Sequence, residues 1–187
     1  TIKTQLAGIH NVYNTLAVVA ALNEAGVELK KIAQYFYPFT GMGRRFQKVC
    51  EFNGITVYDD YAHHPTEIKA ALQAAASKFG KENVVAVFQP HRFTRLQSLW
   101  KEFLTAFENA GRVIVTDVYA ASEDSIEGIN GENFAAELSC EYVSGNMQDV
   151  ARKLMPSLKK GDVVIGLGAG TITNLGKELC KLETILR

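Results

Sequence analysis

Residues 55–67 carry the sequence ITVYDDYAHHPTE. Its first four residues alternate in the way that is typical of a β-strand rich in β-branched side chains. Pro65 then opens an alanine-rich segment, residues 67–77, that is typical of a helix. The connecting loop holds two carboxylates, a phenol and two imidazoles, and ligands of open parallel sheets bind where strands end. The loop is therefore a candidate site, and the alternative is a polar surface loop in which Asp60 serves as a cap.

A second strand-to-helix loop strengthens this interpretation. Residues 84–88, VVAVF, form the continuous apolar run that is expected of a central parallel strand. They are followed by QPHRFTR at residues 89–95, and the apolar period then predicts a helix. If that helix starts early, Arg92 and Arg95 project from one face of its first turn and form a clamp for a carboxylate or phosphate. The alternative is a pair of solvated surface arginines.

The amino-terminal part has a different pattern. Helices are predicted at 12–24, with Asn11 as N-cap and Gly26 at its end, and at 28–37, ending before Pro38. Residues 39–43, FTGMG, contain two glycines and indicate a hinge. Strands at 45–52 and 55–60 flank Asn53-Gly54, the strongest short signal for a β-hairpin.

The remaining chain alternates between predicted helices and strands. Helices are expected at 65–78, 96–109, 130–138, 146–157 and 172–182, and strands at 83–88, 112–118, 140–143 and 162–167. This alternation predicts an α/β fold with a Rossmann-like, mostly parallel sheet, helices on both faces and an antiparallel edge hairpin. A two-helix segment precedes it.

Composition excludes several classes of function. The 20 basic and 20 acidic residues balance, so no bulk charge favours nucleic acid or an anionic membrane. No apolar run approaches the roughly 20 residues that span a bilayer, and no signal peptide is recognisable. Cys50, Cys140 and Cys180 are predicted to be free buried thiols of a reducing compartment. The expected location is the cytoplasm.

Several familiar sites are missing from the sequence. It has no Gly-x-x-x-x-Gly-Lys-Ser/Thr loop for ATP phosphates, and the residue after Gly166, Gly168 and Gly170 is Thr171, which breaks the dinucleotide fingerprint. Neighbouring histidines such as His63 and His64 diverge, and no cysteine or histidine spacing fits zinc. No metal site is therefore predicted.

Six stretches, in this order, resemble the Mur ligases, the ATP-dependent amide-forming enzymes of bacterial peptidoglycan synthesis. They are GIHNVYN at 8–14, GMGRRF at 41–46, DDYAHHPTE at 59–67, FQPHRFTR at 88–95, DVYAA at 117–121 and GLGAG at 166–170. The resemblance covers nearly the whole chain.

In this family a UDP-sugar domain and an ATPase domain precede these motifs. The resemblance therefore implies that residues 1–40 are the helical end, or remnant, of the central ATP-binding domain. Residues 41–187 would be the C-terminal domain, which binds the amino acid and closes over ATP. It also implies that Mg²⁺ is held mainly by the missing ATPase domain and that this chain alone is inactive.

Within the family, QPHR at 89–92 favours the member that adds L-alanine to UDP-N-acetylmuramate through an acyl phosphate. A ligase for murein tripeptide shares the pattern Asp-Asp-aromatic-x-His-His-Pro-Thr, and a stand-alone nucleotide- or anion-binding module is a further alternative. The preceding domains would be the partners of this one.

The resemblance also implies residue roles. The amino-acid pocket would contain Tyr61, His63, Arg92 and Arg95, and His63 would be the catalytic residue that orients the amine or takes its proton. The nucleotide contacts would be His10, Asn11, Asn14, Arg45 and Asp60, with Arg45 favoured over Arg44 and Asp60 over Asp59.

Overall fold

The computed structural model describes residues 1–6, 8–39 and 42–186, without the side chains of His10, Ile185 and Leu186. The chain divides into two compact units, Thr1–Gly43 and Arg44–Arg187. Part of the predicted hinge, Thr40 and Gly41, lies outside the described residues. That the first unit belongs to an ATP-binding domain stays a prediction. No helix in the described residues is both long enough and apolar enough to cross a membrane.

The first unit contains two helices, α1 (Ile9–Glu24) and α2 (Leu29–Phe36). The prediction of Asn11 as N-cap was wrong, because α1 begins earlier, with Gly8 as its N-cap at φ 92°. The Asn11 amide then donates to the Gly8 carbonyl at 3.1 Å. The end of α1 follows the prediction, since Gly26 adopts a φ of 84°, a conformation that glycine tolerates well.

The second unit opens with a hairpin of β1 (Gln47–Phe52) and β2 (Ile55–Asp60). Asn53 and Gly54 both have positive φ, 48° and 76°, as the favoured two-residue turn requires. The right-handed twist of this turn matches that of the strands, so it fixes the antiparallel pairing.

The other strands are β3 (Val84–Phe88), β4 (Arg112–Thr116), β5 (Glu141–Val143) and β6 (Val163–Leu167). They complete a sheet with the order β1-β2-β6-β3-β4-β5. Every neighbouring pair except β1 and β2 is parallel. The predicted mostly parallel sheet with an antiparallel edge hairpin is confirmed.

Six helices surround this sheet: α3 (Pro65–Phe79), α4 (Phe93–Ser98), α5 (Trp100–Leu104), α6 (Gly131–Leu138), α7 (Met147–Leu154) and α8 (Leu175–Leu186). Single 3-10 turns occur at Lys81–Asn83, Met155–Ser157 and Thr171–Asn174.

The helix predicted at 96–109 is different in the structure. It begins at Phe93, breaks at Leu99 and ends at Leu104, and residues 105–109 form turns. Phe103 and Phe107 are nevertheless both buried. The apolar period thus predicted which side chains enter the core, while successive turns bury the same side chains without a continuous helix.

Two apolar cores lie on opposite faces of the sheet. One joins the strands to α3, α5 and α6 through Ile68, Leu72, Phe103 and Phe134. The other joins them to α7 and α8 and includes Leu179. Because every residue of β3 and β6 is buried, these two strands form the rigid centre that carries the loops described below.

The prediction of three free thiols was wrong. Cys50 of β1 and Cys180 of α8 form a disulfide, with their Cα atoms 6.7 Å apart. The two residues are 130 positions apart, so their proximity depends on α8 packing against β1. A bridge across so long a loop stabilises a fold by typically about 2–4 kcal/mol. Cys140 is free, and burial, together with nearby Glu141, raises its pKa to about 11.

Candidate active site

Four loops meet at one edge of the sheet, where β2, β6, β3 and β4 end. Since β6 lies between β2 and β3, the two polar loops of the sequence are separated by one strand. The rings of His63, after β2, and His91, after β3, are 6.0 Å apart between centroids. The fold therefore brings the two loops together at the edge where such sheets bind ligands.

Asp60 shapes the loop that follows β2. Its carboxylate accepts hydrogen bonds from the Ala62 and Phe46 amides, both at 2.8 Å. Burial raises its pKa and outweighs these two bonds, which act in the opposite direction. The carboxylate is only slightly exposed, so a direct contact with nucleotide requires this loop to open; that role stays a prediction.

The neighbouring Asp59 binds an arginine. Its Oδ2 accepts from Arg44 Nε at 3.2 Å and from the Thr173 hydroxyl at 2.7 Å, and Arg44 Nη2 donates to the Gly168 carbonyl at 2.7 Å. Arg44 thus ties β2 to the loop after β6. Asp59 Oδ1 is buried and, in the described part of the chain, has no hydrogen-bond partner.

Arg45 has far fewer contacts than Arg44. Its side chain is 54% exposed and lies 3.7 Å from Glu67, beyond hydrogen-bond distance. Its guanidinium carbon is 5.8 Å from the centre of the Tyr61 ring, whereas that of Arg44 is 4.8 Å away. Of the two arginines, Arg45 therefore has the more exposed and less constrained guanidinium.

His63 is held so that one ring nitrogen stays available. Its Nδ1 is 2.9 Å from the Tyr61 carbonyl and 3.4 Å from Glu67 Oε2, which favours the proton on Nδ1. In the residues that the structure describes, Nε2 makes no hydrogen bond. With its proton on Nδ1, the His63 ring therefore presents Nε2 as an acceptor for a proton.

Glu67 organises this loop. Its side chain accepts from the His63 and His64 amides at 3.1 and 3.2 Å, and completes a capping box in which His64 is the N-cap of α3. Partial burial raises the pKa of Glu67, but these bonds and the positive charge of Arg45 lower it by more. A charged Glu67 is thus maintained next to His63.

Arg92 is held in an unusual backbone conformation. Its φ is 73° and its ψ 134°, a region that is costly for a residue with a side chain. The Arg92 amide donates to the Tyr119 carbonyl at 2.9 Å, and its guanidinium lies 3.6 Å from Glu123. Glu123 is itself fixed by the Thr94 amide and hydroxyl at 3.1 and 2.7 Å. The loop after β4 therefore orients Arg92.

Arg95 turns back onto His91 instead of pairing with an acid. Its Nη1 donates to His91 Nδ1 at 3.1 Å and to the His91 carbonyl at 3.2 Å. Burial lowers the pKa of His91, and the positive charges of Arg95 and Arg92 lower it further. A neutral His91 can accept the bond from Arg95, which leaves other guanidinium donors of Arg95 for a ligand.

The remaining predicted contacts belong to the first unit. Asn11 and Asn14 lie three residues apart in α1, on the same side of the helix. The side chain of His10 lies outside the described structure. The predicted nucleotide contacts of these three residues stay predictions.

Metal ligands do not cluster in this part of the protein. Within residues 1–6, 8–39 and 42–186, no three His, Cys, Asp or Glu side chains are placed to hold a metal ion. The assignment of Mg²⁺ to the ATPase domain stays a prediction.

Three residues of the site did not emerge from the sequence as site residues. Glu67 follows His64 at the spacing of a capping box, which could have shown its role. Tyr119 follows the end of a predicted strand, as site residues in such sheets often do. Glu123 lies in an irregular loop and carries no such signal.

Comparison with known proteins identifies the family. A family model described as "Mur ligase, glutamate ligase domain" matches residues 44–170. The chain belongs to the Mur ligase family.

Two relatives show which members of the family this chain is similar to. The chain is 48% identical over 176 residues to UDP-N-acetylmuramate–L-alanine ligase of Caldicellulosiruptor bescii, an alignment that covers 91% of this chain and 38% of that protein. The crystal structure of UDP-N-acetylmuramate-alanine ligase from Thermotoga maritima superimposes with a TM-score of 0.81 at 28% identity, over 100% of this chain and 40% of that one. The chain thus spans about two fifths of the length of these relatives.

The fold is also found in a more distant enzyme. Folylpolyglutamate synthase of Mycobacterium tuberculosis, complexed with ADP, gives a TM-score of 0.65 at 21% identity, over 97% of this chain and 42% of that one. This likeness concerns the fold alone.

Proposed function

We propose that this chain is the carboxyl-terminal part of an ATP-dependent ligase that joins L-alanine to UDP-N-acetylmuramate. The enzyme would act in the cytoplasm, in peptidoglycan synthesis, and so serve cell-wall growth, cell shape and cell division. The identity with the Caldicellulosiruptor ligase supports the substrates. The observation that carries the proposal is the 6.0 Å approach of His63 and His91, which places a proton acceptor next to the arginine loop.

The reaction has two steps. ATP transfers its γ-phosphoryl group to the carboxylate of UDP-N-acetylmuramate, which gives an acyl phosphate and ADP. The amine of L-alanine then attacks the acyl carbon, a tetrahedral intermediate forms, and inorganic phosphate leaves as the amide is made. The ammonium group of L-alanine loses one proton before it attacks and a second as the amide forms, while the third stays on the amide nitrogen, so the second step needs a base.

Arg92 and Arg95 bind the carboxylate of L-alanine in this scheme. Each guanidinium offers a fork of donors that matches a carboxylate. The contact of Arg92 with Glu123, at 3.6 Å, is an ion pair without a hydrogen bond, so its donors remain available. Tyr61 lies beside His63, with ring centroids 5.1 Å apart, and forms a wall of the pocket.

His63 is the base of this scheme. Its Nδ1 proton is directed to the Tyr61 carbonyl and Glu67 stands next to the ring, so Nε2 takes the proton from the amine. Glu67 stabilises the imidazolium that results, as an adjacent carboxylate does in other acid–base pairs.

Arg45 binds the nucleotide in this scheme. Since Arg44 is committed to Asp59 and Gly168, the more exposed Arg45 is the arginine that meets the ATP phosphates. Asn11, Asn14 and His10 are separate candidate contacts for the nucleotide, and Asp60 maintains the loop after β2. Closure of the domain over ATP excludes water, which otherwise hydrolyses the acyl phosphate.

The proposal is tested with the complete enzyme and with the 187-residue chain side by side. Phosphate release by the complete enzyme should require ATP, UDP-N-acetylmuramate and L-alanine together, and the 187-residue chain should release none, because it lacks a loop that cradles phosphates. Release that responds to murein tripeptide and not to L-alanine would favour the alternative ligase. Activity of the shorter chain alone would contradict the domain assignment.

A further inference from the structure

The backbone of Tyr119 is fastened to the arginine loop. Its amide donates to the Pro90 carbonyl at 2.8 Å, and its carbonyl accepts from the Arg92 amide at 2.9 Å. These two bonds continue the parallel pairing of β3 with β4 beyond the ends of both strands and place Tyr119 opposite His91. The position of Tyr119 is therefore set by the sheet and not by a flexible loop.

The Tyr119 ring stacks on the His91 ring. Their centroids are 5.4 Å apart and their planes differ by 22°. Stacked aromatic rings at this distance attract each other beyond the effect of burial alone. The stack extends a row of rings across the edge of the sheet, since His91 also approaches His63 at 6.0 Å.

Gly170, after β6, makes room for the Tyr119 ring. A Cβ atom at Gly170 would lie 2.5 Å from Tyr119 Cγ and 2.6 Å from Gln89 Oε1, closer than real Cβ contacts. Any other residue at 170 would push the ring or Gln89 away. The ring of Tyr119 thus has His91 and Gly170 as close neighbours, which limits its movement.

His91 transmits this constraint to Arg95. The Arg95 Nη1 atom donates to His91 Nδ1 at 3.1 Å and to the His91 carbonyl at 3.2 Å, so the position of the imidazole sets the position of the guanidinium. The lowered pKa of His91, which results first from burial and then from Arg95, favours the neutral ring, and the bond from Arg95 selects the tautomer in which Nδ1 is unprotonated. A ring that tilts or becomes hydrated releases Arg95.

We propose that Tyr119 is a positioning residue of the amino-acid site, which acts through His91 on the carboxylate-binding Arg95. This inference rests on the proposed function of Arg95. The ring of Tyr119, and not its hydroxyl, carries the effect. The hydroxyl makes no hydrogen bond in the described part of the chain, and the residue is 37% exposed, so water can reach the hydroxyl.

The first test uses NMR titration of the His91 ring in the 187-residue chain and needs no activity. In Tyr119→Ala and Tyr119→Leu the His91 ring should become more hydrated, so the pKa of His91 should rise toward its ordinary value. In Tyr119→Phe the pKa of His91 should stay as in the parent chain. Tyr35→Ala, which removes an exposed tyrosine of the first unit, is the matched control and should leave it unchanged. An unchanged His91 titration in both Ala and Leu variants overturns the proposal, whatever the enzyme does.

The second test measures KM in the complete enzyme. Tyr119→Ala and Tyr119→Leu should raise the KM for L-alanine roughly two- to tenfold, the range that one aromatic pair contributes, and leave the KM for ATP unchanged. Tyr119→Phe should restore the parent value. A Phe variant as impaired as the Ala variant would show that the hydroxyl matters and would overturn the proposal. An enzyme that does not use L-alanine at all contradicts the proposed function, while the NMR result still decides the link between Tyr119 and His91.

Discussion

His63 and His64 are adjacent in sequence, but their surroundings differ. His63 Nδ1 is 2.9 Å from the Tyr61 carbonyl and close to Glu67, whereas His64 Nδ1 accepts from the Thr66 amide at 3.3 Å as the N-cap of α3. The sequence predicted that the two side chains diverge. Only the structure shows that the acceptor nitrogen of His64 is already used by the Thr66 amide, whereas that of His63 is not.

This difference leads to a prediction for the complete enzyme. His63→Ala should lower kcat about 100-fold or more, the contribution of a positioned general base, and change the KM for L-alanine much less. His64→Asn, which keeps an acceptor at the N-cap, is the control and should retain kcat. Steady-state kinetics with saturating ATP measure both variants. Equal losses in the two variants, or a change in KM alone, would contradict the role of His63 as base.

The backbone conformation of Arg92 is a second feature that concerns a single residue. No sequence pattern indicates a positive φ at an arginine, because this backbone region is occupied mainly by glycine. The Tyr119 carbonyl and Glu123, 27 and 31 positions away, hold the residue in place. The sequence could therefore propose Arg92 as a ligand for an anion, but not how its orientation is fixed.

At the scale of elements, Asp117 joins β4 to the loop after β5. Its carboxylate accepts from the Gly145 amide at 2.8 Å, from the Ser144 hydroxyl at 3.0 Å and from the Tyr142 hydroxyl. Partial burial raises the pKa of Asp117, but these three bonds lower it by more. Its ionised form is therefore favoured by folding.

The contribution of Asp117 to the stability of the fold depends on pH, in a direction that follows from its lowered pKa. Because the pKa is lower in the folded chain, the stabilisation is complete above the unfolded value, about 4, and is lost as the pH falls through the folded value. Asp117→Asn should lower the Tm at pH 7 by roughly 2–4 °C, the effect of about 1 kcal/mol after solvent screening.

Thermal unfolding from pH 7 to pH 3 provides the measurement. The difference in Tm between Asp117→Asn and the parent should be constant down to about pH 5 and narrow below about pH 4. Asp124→Asn, in the exposed part of the loop after β4, is the control and should show no difference at any pH. A difference that widens with acidity would contradict the role of the charged form.

The elements themselves were predicted to different degrees. Asn53-Gly54 fixed the hairpin, since the required turn is local, and the apolar runs of β3 and β6 identified the central strands. The break at Leu99 between α4 and α5 was missed because the apolar period is the same on both sides of it. Local patterns therefore predicted the type of element better than its continuity.

At the scale of the whole molecule, contacts between distant residues were the least predictable. The disulfide of Cys50 and Cys180 depends on α8 lying against β1, and the proximity of His63 and His91 depends on the position of β6 between β2 and β3. A predicted parallel sheet does not determine the order of its strands. The sequence thus provided the polar loops, and the strand order brings them together.

In the proposed function, the amino acid and the nucleotide are bound by different arginines. Arg92 and Arg95 would bind L-alanine at the end of β3, while Arg45 would meet the nucleotide before β1. A hydrogen bond to a charged group contributes roughly 1.5–3 kcal/mol, or about ten- to 150-fold in affinity. Loss of either Arg92 or Arg95 should therefore weaken L-alanine binding by at least about tenfold.

The most direct test compares the KM values for L-alanine and ATP in the complete enzyme. Arg92→Ala and Arg95→Ala should raise the KM for L-alanine and leave that for ATP nearly unchanged, while Arg45→Ala should do the reverse. Arg112→Ala is the matched control, because Arg112 forms an ion pair with Glu141 at the opposite end of β4, and it should change neither KM. If Arg92→Ala or Arg95→Ala mainly raises the KM for ATP, these arginines bind phosphate, and the assignment of the two loops is contradicted.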